Sequence, residues 1–140
     1  MLQIRKIAYS VASRIPIYED LQPIKLDKSY TEEELIRMDT EDLDMMAFGF
    51  HSGDLLEVHP ESLTVIYDDD LENARDQAER EGWELWAKKV DLSDPIEVKL
   101  KHGRLQIEDG HHRYLAAKIL GSSLLAIVEI WDNPIEKILM

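Results

Sequence analysis

Two hydrophobic periods succeed one another between Ile96 and Trp131, and this succession constrains the fold more than any other feature of the chain. Ile96, Val98 and Leu100 alternate with Glu97 and Lys99. After Lys101-His102-Gly103, Leu105 and Ile107 alternate with Gln106 and Glu108. Period two marks a strand with one buried face, and a short glycine-containing turn between two such runs makes a β-hairpin. Asp109-Gly110 breaks the second strand. From His111 to Leu120 the apolar Leu115, Ala116 and Ile119 take helical spacing, and Gly121 supplies the C-terminal stop. Leu124 to Trp131 is apolar apart from Glu129 and reads as a buried strand. The last third is therefore strand, turn, strand, Asp-Gly, helix, strand.

The first half reads as α-rich. Ile4, Ile7, Val11 and Ile15 recur at helical spacing up to Pro16, which predicts a short N-terminal helix, with a strand as the alternative for its first residues. Thr31-Glu32-Glu33-Glu34 has the pattern of a capping box, followed by a helix with Leu35 and Met38 inward. Thr40 is placed to cap a further helix carrying Leu43, Met46, Ala47 and Phe50, and the segment from Phe48 to Asp54, with Gly49 and Gly53, reads as a loop. Leu63 to Tyr67 predicts a short strand. Asp68 to Asp70 opens a helix with Leu71, Ala74 and Ala78 on its apolar face and Gly82 as its stop. Trp83 to Val90 fits either a helix or a strand. The three tryptophans, Trp83, Trp86 and Trp131, are expected in the core. With no repeat, low-complexity tract or linker, the expectation is one α+β domain over residues 1–140, a small mixed sheet with helices.

Composition narrows the function classes. In 140 residues, 44% are hydrophobic and 32% charged, in keeping with a globular chain. No apolar run is long enough to cross a bilayer and no basic-then-apolar leader opens the sequence, so a cytoplasmic protein is expected. The absence of cysteine excludes disulfides, thiolate metal sites and thiol catalysis. A net charge of −13 disfavours direct DNA binding, whose affinity comes largely from phosphate neutralisation. The segment from Glu32 to Glu84 is strongly acidic, whereas Lys88, Lys89, Lys99, Lys101, Arg104, Arg113 and Lys118 lie in the last third. That asymmetry predicts an acidic face remote from a less acidic or basic site.

The junction Asp109-Gly110-His111-His112-Arg113 carries the candidate chemistry. A helix start leaves backbone N–H groups without partners, and its dipole favours anions. Glycine lets a ligand approach the backbone closely. An arginine in the first turn opposes the dipole, which makes sense if its guanidinium forks onto an anion held at the same end. His111 and His112 add imidazole groups as candidate catalytic residues, and Asp109 can cap the helix or orient one of them. Against this stands a plain helix cap after an Asp-Gly turn, with His112 as a core histidine at helical spacing with Leu115, Ala116 and Ile119. Metal binding by the two histidines is not expected, because adjacent helical residues diverge by roughly 100°.

The run from Pro95-Ile96-Glu97-Val98 through Gly103 to Asp109-Gly110-His111-His112-Arg113-Tyr114-Leu115-Ala116-Ala117 resembles the ParB/sulfiredoxin superfamily over residues 94–131. The resemblance implies a ParB/sulfiredoxin-like fold in which Gly110, His111, His112 and Arg113 hold nucleotide phosphates. It also implies a nucleoside di- or triphosphate with Mg2+ as ligand. Partition-type members bind CTP and DNA, sulfiredoxins use ATP, and a free-serine kinase uses ADP. The sulfiredoxin reactive cysteine would fall at His111, so sulfinic acid reduction is excluded. The sequence ends at Met140, soon after the closing strand, and no helix-turn-helix pattern follows, which disfavours the DNA-binding role. No metal-ligand cluster supports a nuclease. Three readings remain: a nucleotide-binding phosphotransferase or nucleotide hydrolase; a non-enzymatic nucleotide-responsive regulatory or DNA-associated module acting through a protein partner; and the fold retained with its site unused.

Overall fold

The computed structural model describes residues 4–9, 16–23 and 29–140. They form an α+β fold around one mixed sheet of seven strands: β1 (Ile4–Tyr9), β2 (Pro16–Asp20), β3 (Asp54–Val58), β4 (Leu63–Val65), β5 (Ile96–Lys101), β6 (Arg104–Asp109) and β7 (Leu124–Ile130). The order across the sheet is β2-β1-β3-β7-β5-β6-β4. β5 runs parallel to β7 and β4 parallel to β6; every other neighbouring pair is antiparallel. The helices are α1 (Glu32–Ile36), α2 (Thr40–Phe48), α3 (Asp68–Glu81), α4 (Trp83–Lys89), α5 (His111–Leu120) and α6 (Pro134–Leu139).

The period-two runs bury one face of the sheet. Ile96 and Val98 of β5, Leu105 and Ile107 of β6, Ala126 and Val128 of β7, and Leu56 and Val58 of β3 are buried together in the main core. Tyr114 and Ala117 of α5 pack onto it. A second cluster joins α5 to α3 and α4 through Ala74, Ala78, Trp86, Ala87, Leu115 and Ala116. The four alanines among them let three helices approach closely beside the site. A third cluster gathers Leu35, Leu43 and Met46 of α1 and α2 with Ile135 and Ile138 of α6.

The hairpin, α5 and β7 lie where the pattern predicts them. The hairpin turn has positive φ at His102 and Gly103, as a two-residue turn that follows strand twist requires. The Asp132 carboxylate fixes it by accepting from the His102 and Gly103 amides at 2.7 and 2.8 Å. The Thr31 capping box is present, with the Glu34 amide donating to the Thr31 hydroxyl at 3.2 Å and the Thr31 amide to Glu34 at 3.3 Å.

Several expectations change. Residues 4–9 form a strand, the alternative reading, because β2 and β3 pair with both edges of it. Val11 and Ile15 lie outside the described residues. Trp83–Lys89 is helical, seated on α3 and α5. β3 and α6 carry no strong local signal and form through tertiary pairing: β3 sits between β1 and β7, and α6 packs on α1 and α2. Of the tryptophans, only Trp86 is buried. Trp83 and Trp131 are half-exposed, and Trp131 lies under the Lys99 ammonium at 4.2 Å from its ring centre.

One charge in the core ties the α2–β3 connection. Asp44 is buried on α2 and its carboxylate accepts from the Ser52 amide at 3.4 Å. Burial pushes its pKa above the ordinary 3.8, outweighing the opposing Ser52 hydrogen bond and the nearby His51. A raised folded-state value means that the native protein binds more protons than the unfolded chain between the two pKa values. Stability contributed by Asp44 therefore falls as pH rises from about 3.8 through the raised value, and is flat above it. Asp44→Asn removes this loss while keeping an acceptor for Ser52. The stability of the variant relative to wild type is expected to increase with pH across that window in urea titrations. A difference independent of pH would show that Asp44 does not titrate there.

Candidate functional site

Strand directions gather the site at one end of the sheet. β4 and β6 are parallel, so α3 and α5 both begin beyond their C-terminal ends, and β5, antiparallel to β6, starts at the same end. The 90–95 connection, both helix N-termini and Asp109 thus meet.

The approach to the junction contains a feature invisible to the alternating pattern. Val98 pairs with Ile107 but Glu97 pairs with Asp109, leaving Glu108 as an extra residue on β6. Such a bulge bends its strand and re-aims the side chains next to it. Glu108 accepts from the Tyr67 hydroxyl at 3.2 Å and stands 3.6 Å from the Lys99 ammonium. This links the bulge to the residue just before α3.

Gly110 caps α5 with φ +105° and ψ 29°. A Cβ here would fall 2.7 Å from the Ile96 Cβ, so the position demands glycine on both conformational and steric grounds. It also leaves the helix without a side-chain cap. The Tyr114 amide bonds to the Gly110 carbonyl at 2.9 Å, while the first-turn amides of His111, His112 and Arg113 precede the intrahelical ladder.

The two imidazoles differ sharply. His111 is only 4% exposed, and its Nε2 has no hydrogen-bond partner. Its Nδ1 lies 4.0 Å from the Asp70 carboxylate in the first turn of α3, and the Tyr67 ring meets it edge-on at 6.1 Å between centres. His112 is exposed, tilted against Trp86 at 6.1 Å. The core histidine is therefore His111, not His112. Helix phase decides this: His111 shares the inward face of α5 with Tyr114 and Leu115.

Arg113 has partners of its own. One guanidinium nitrogen donates to the carbonyls of Pro95 at 2.7 Å and Asp94 at 3.2 Å, and lies 3.6 Å from the Asp94 carboxylate. The other faces the Asp109 carboxylate at 4.0 Å. Asp109 therefore neither caps α5 nor approaches an imidazole; the carboxylate beside His111 is Asp70. In the adjoining loop, hydrogen bonds from the Ser93 hydroxyl and amide, with a smaller effect of Arg113, hold Asp91 below the usual carboxylate range. The acidic middle of the chain is not remote from the site. Asp70 comes from it, because α3 starts beside α5. No group of three or more histidine and acidic side chains among the described residues is arranged to hold a metal unaided. No helix among them is long and apolar enough to cross a membrane.

No protein-family model matches the chain, and no curated protein matches it. Two solved structures are similar to it. One is a sulfiredoxin from Arabidopsis thaliana, 19% identical, with the match covering 54% of this chain and 84% of that one at a TM-score of 0.34. The other is C-terminally truncated chromosome-partitioning protein ParB from Caulobacter crescentus complexed with CTP-gamma-S, 24% identical at a TM-score of 0.37. That match covers 62% of this chain and 51% of the ParB chain, about half its length.

Proposed function

We propose that the junction of β6 and α5 binds the phosphates of a nucleoside di- or triphosphate with Mg2+, in a phosphotransferase or nucleotide hydrolase. The observation that carries this reading is the buried His111 ring, with its unpartnered Nε2, at the first position of a helix that no side chain caps. A buried polar group without a partner costs about 1–3 kcal/mol, so a ligand that satisfies it recovers that free energy on binding. The first-turn amides and the helix dipole supply the anion-binding element. Gly110 keeps the approach to them free of a side chain.

The carboxylates argue for a metal-bound nucleotide over free phosphate. Asp70, Asp94 and Asp109 would repel a bare dianion. Mg2+ is commonly held by one or two carboxylates together with substrate phosphates, and Asp109, with its carboxylate largely exposed, is the residue of the junction best able to reach it. Bound Mg2+ would neutralise charge on the phosphates; Arg113 adds a fixed positive charge at the same end.

Thermal unfolding with ATP, ADP, CTP and GTP, each with Mg2+, tests the reading. A nucleotide at about 100 times its Kd should stabilise the fold by about 2.7 kcal/mol and raise Tm by several degrees. The shift should require Mg2+ and disappear in Arg113→Ala, which removes the cation facing Asp94 and Asp109. No shift with any of the four would remove the nucleotide reading.

A further inference from the structure

We infer that Asp70 sets the tautomer of His111, leaving Nε2 as a proton acceptor for a hydroxyl group that attacks the bound phosphate. This rests on the nucleotide reading above and assigns Asp70 as a positioning residue for it.

A neutral imidazole has one N–H and one lone pair. The carboxylate of Asp70 only accepts, so the nitrogen facing it at 4.0 Å, Nδ1, is the one favoured to carry the hydrogen. At this distance the contact is an electrostatic one, from a carboxylate that is 60% exposed to a ring that is otherwise buried. The Tyr67 ring meets that ring by its edge, and the Tyr67 hydroxyl is already donated to Glu108. Nε2 is then a lone pair, buried and without a donor. An unprotonated phosphate oxygen cannot satisfy a lone pair; an O–H can. The phosphates fall to the amides of α5, and the group at Nε2 is a hydroxyl.

The transfer balances on these groups. The hydroxyl oxygen forms a bond to the terminal phosphorus while its proton passes to His111 Nε2. The bond from that phosphorus to the bridging oxygen breaks, and its electron pair leaves with the shortened nucleotide. The resulting imidazolium carries protons on both nitrogens, and the Asp70 carboxylate stabilises it. The hydroxyl is that of water or of a small alcohol.

The tautomer can be read directly from long-range nitrogen–proton NMR correlations of His111 in wild type and Asp70→Ala, alongside thermal shifts and turnover with the nucleotide that stabilises the protein. The expectation is a hydrogen on Nδ1 in wild type and a loss of that preference in Asp70→Ala. The nucleotide-induced Tm shift should survive, and kcat should fall roughly 10²-fold with little change in KM. Release of inorganic phosphate without added alcohol identifies water as acceptor; a phosphorylated product from a panel of small alcohols identifies an alcohol. A hydrogen on Nε2 in wild type, or a tautomer that ignores Asp70→Ala, overturns the assignment of Asp70. Absence of turnover with water and every alcohol overturns the base role of His111. Either result leaves the phosphate site standing if the wild-type Tm shift is present, whereas absence of that shift removes the underlying reading itself.

Discussion

Gly110→Ala should cost about 2–6 kcal/mol of folding stability, a large share of what a domain of this kind has. Two effects combine. At φ +105° an L-residue is strained, at a cost of order 1–3 kcal/mol. The new Cβ would also stand 2.7 Å from the Ile96 Cβ and 3.3 Å from its Cα, so β5 and α5 must separate, at a typical overpacking cost of about 1–3 kcal/mol. Ile96 is fully buried in the central strands and has no room to yield. Gly103→Ala is the control. Its φ is +71°, but a Cβ there meets nothing within 4 Å, so it reports conformational strain alone. Urea denaturation of both variants separates the terms. If Gly110→Ala loses no more than Gly103→Ala, the close approach of α5 to β5 is not a constraint. Where Gly110→Ala still folds, separation of the two elements should also weaken nucleotide binding, since the first-turn amides move with the helix.

Arg113→Ala should lower stability by about 2–4 kcal/mol and abolish the nucleotide-induced Tm shift. The stability loss follows from the donor bonds to the Pro95 and Asp94 carbonyls, which tie the start of β5 to α5. Hydrogen bonds from a charged donor contribute about 1.5–3 kcal/mol each, and these carbonyls have one donor between them in the guanidinium. Removing the cation also leaves Asp94 and Asp109 without their counter-charge at the place where phosphates would sit. Arg113→Lys keeps the charge but not the fork, so it should recover part of the ligand effect and little of the stability. A variant that is less stable yet keeps the full nucleotide shift would make Arg113 an anchor for the 90–95 loop and nothing more.

Arg113 illustrates how far local sequence constrains the chain. An arginine in the first turn of a helix has no local reason to be there, and that anomaly pointed to an anion. The tertiary structure supplies a reason of its own, carbonyls 18 and 19 residues upstream that no local pattern reveals. His111 and His112 show the same limit. Their types marked a site, but which ring is buried depends on the phase of α5 against the sheet, set by the αL conformation of Gly110. Asp70, Tyr67 and Glu108 join the junction only through tertiary structure. Asp70 and Tyr67 stand at the entry of a distant helix, and Glu108 reaches Tyr67 from the bulge on β6. The acidic run at 68–70 was the available signal for Asp70, and it was masked by its second use as a helix N-terminus.

What the sequence determined by itself was local: the β5–β6 hairpin, α5, β7 and the Thr31 capping box, each encoded by hydrophobic period, turn chemistry or a side-chain-to-backbone bond within a few residues. Tertiary structure decided the rest. Residues 4–9 became a strand against their helical spacing, and β3 formed without a signal of its own, because strand pairing satisfies backbone groups that only distant segments can reach. Strand direction then brought α3 beside α5 and turned a remote acidic segment into the neighbour of His111. Short-range periodicity fixes which face of an element is buried, but the partner across that face is selected by the packing of the whole sheet.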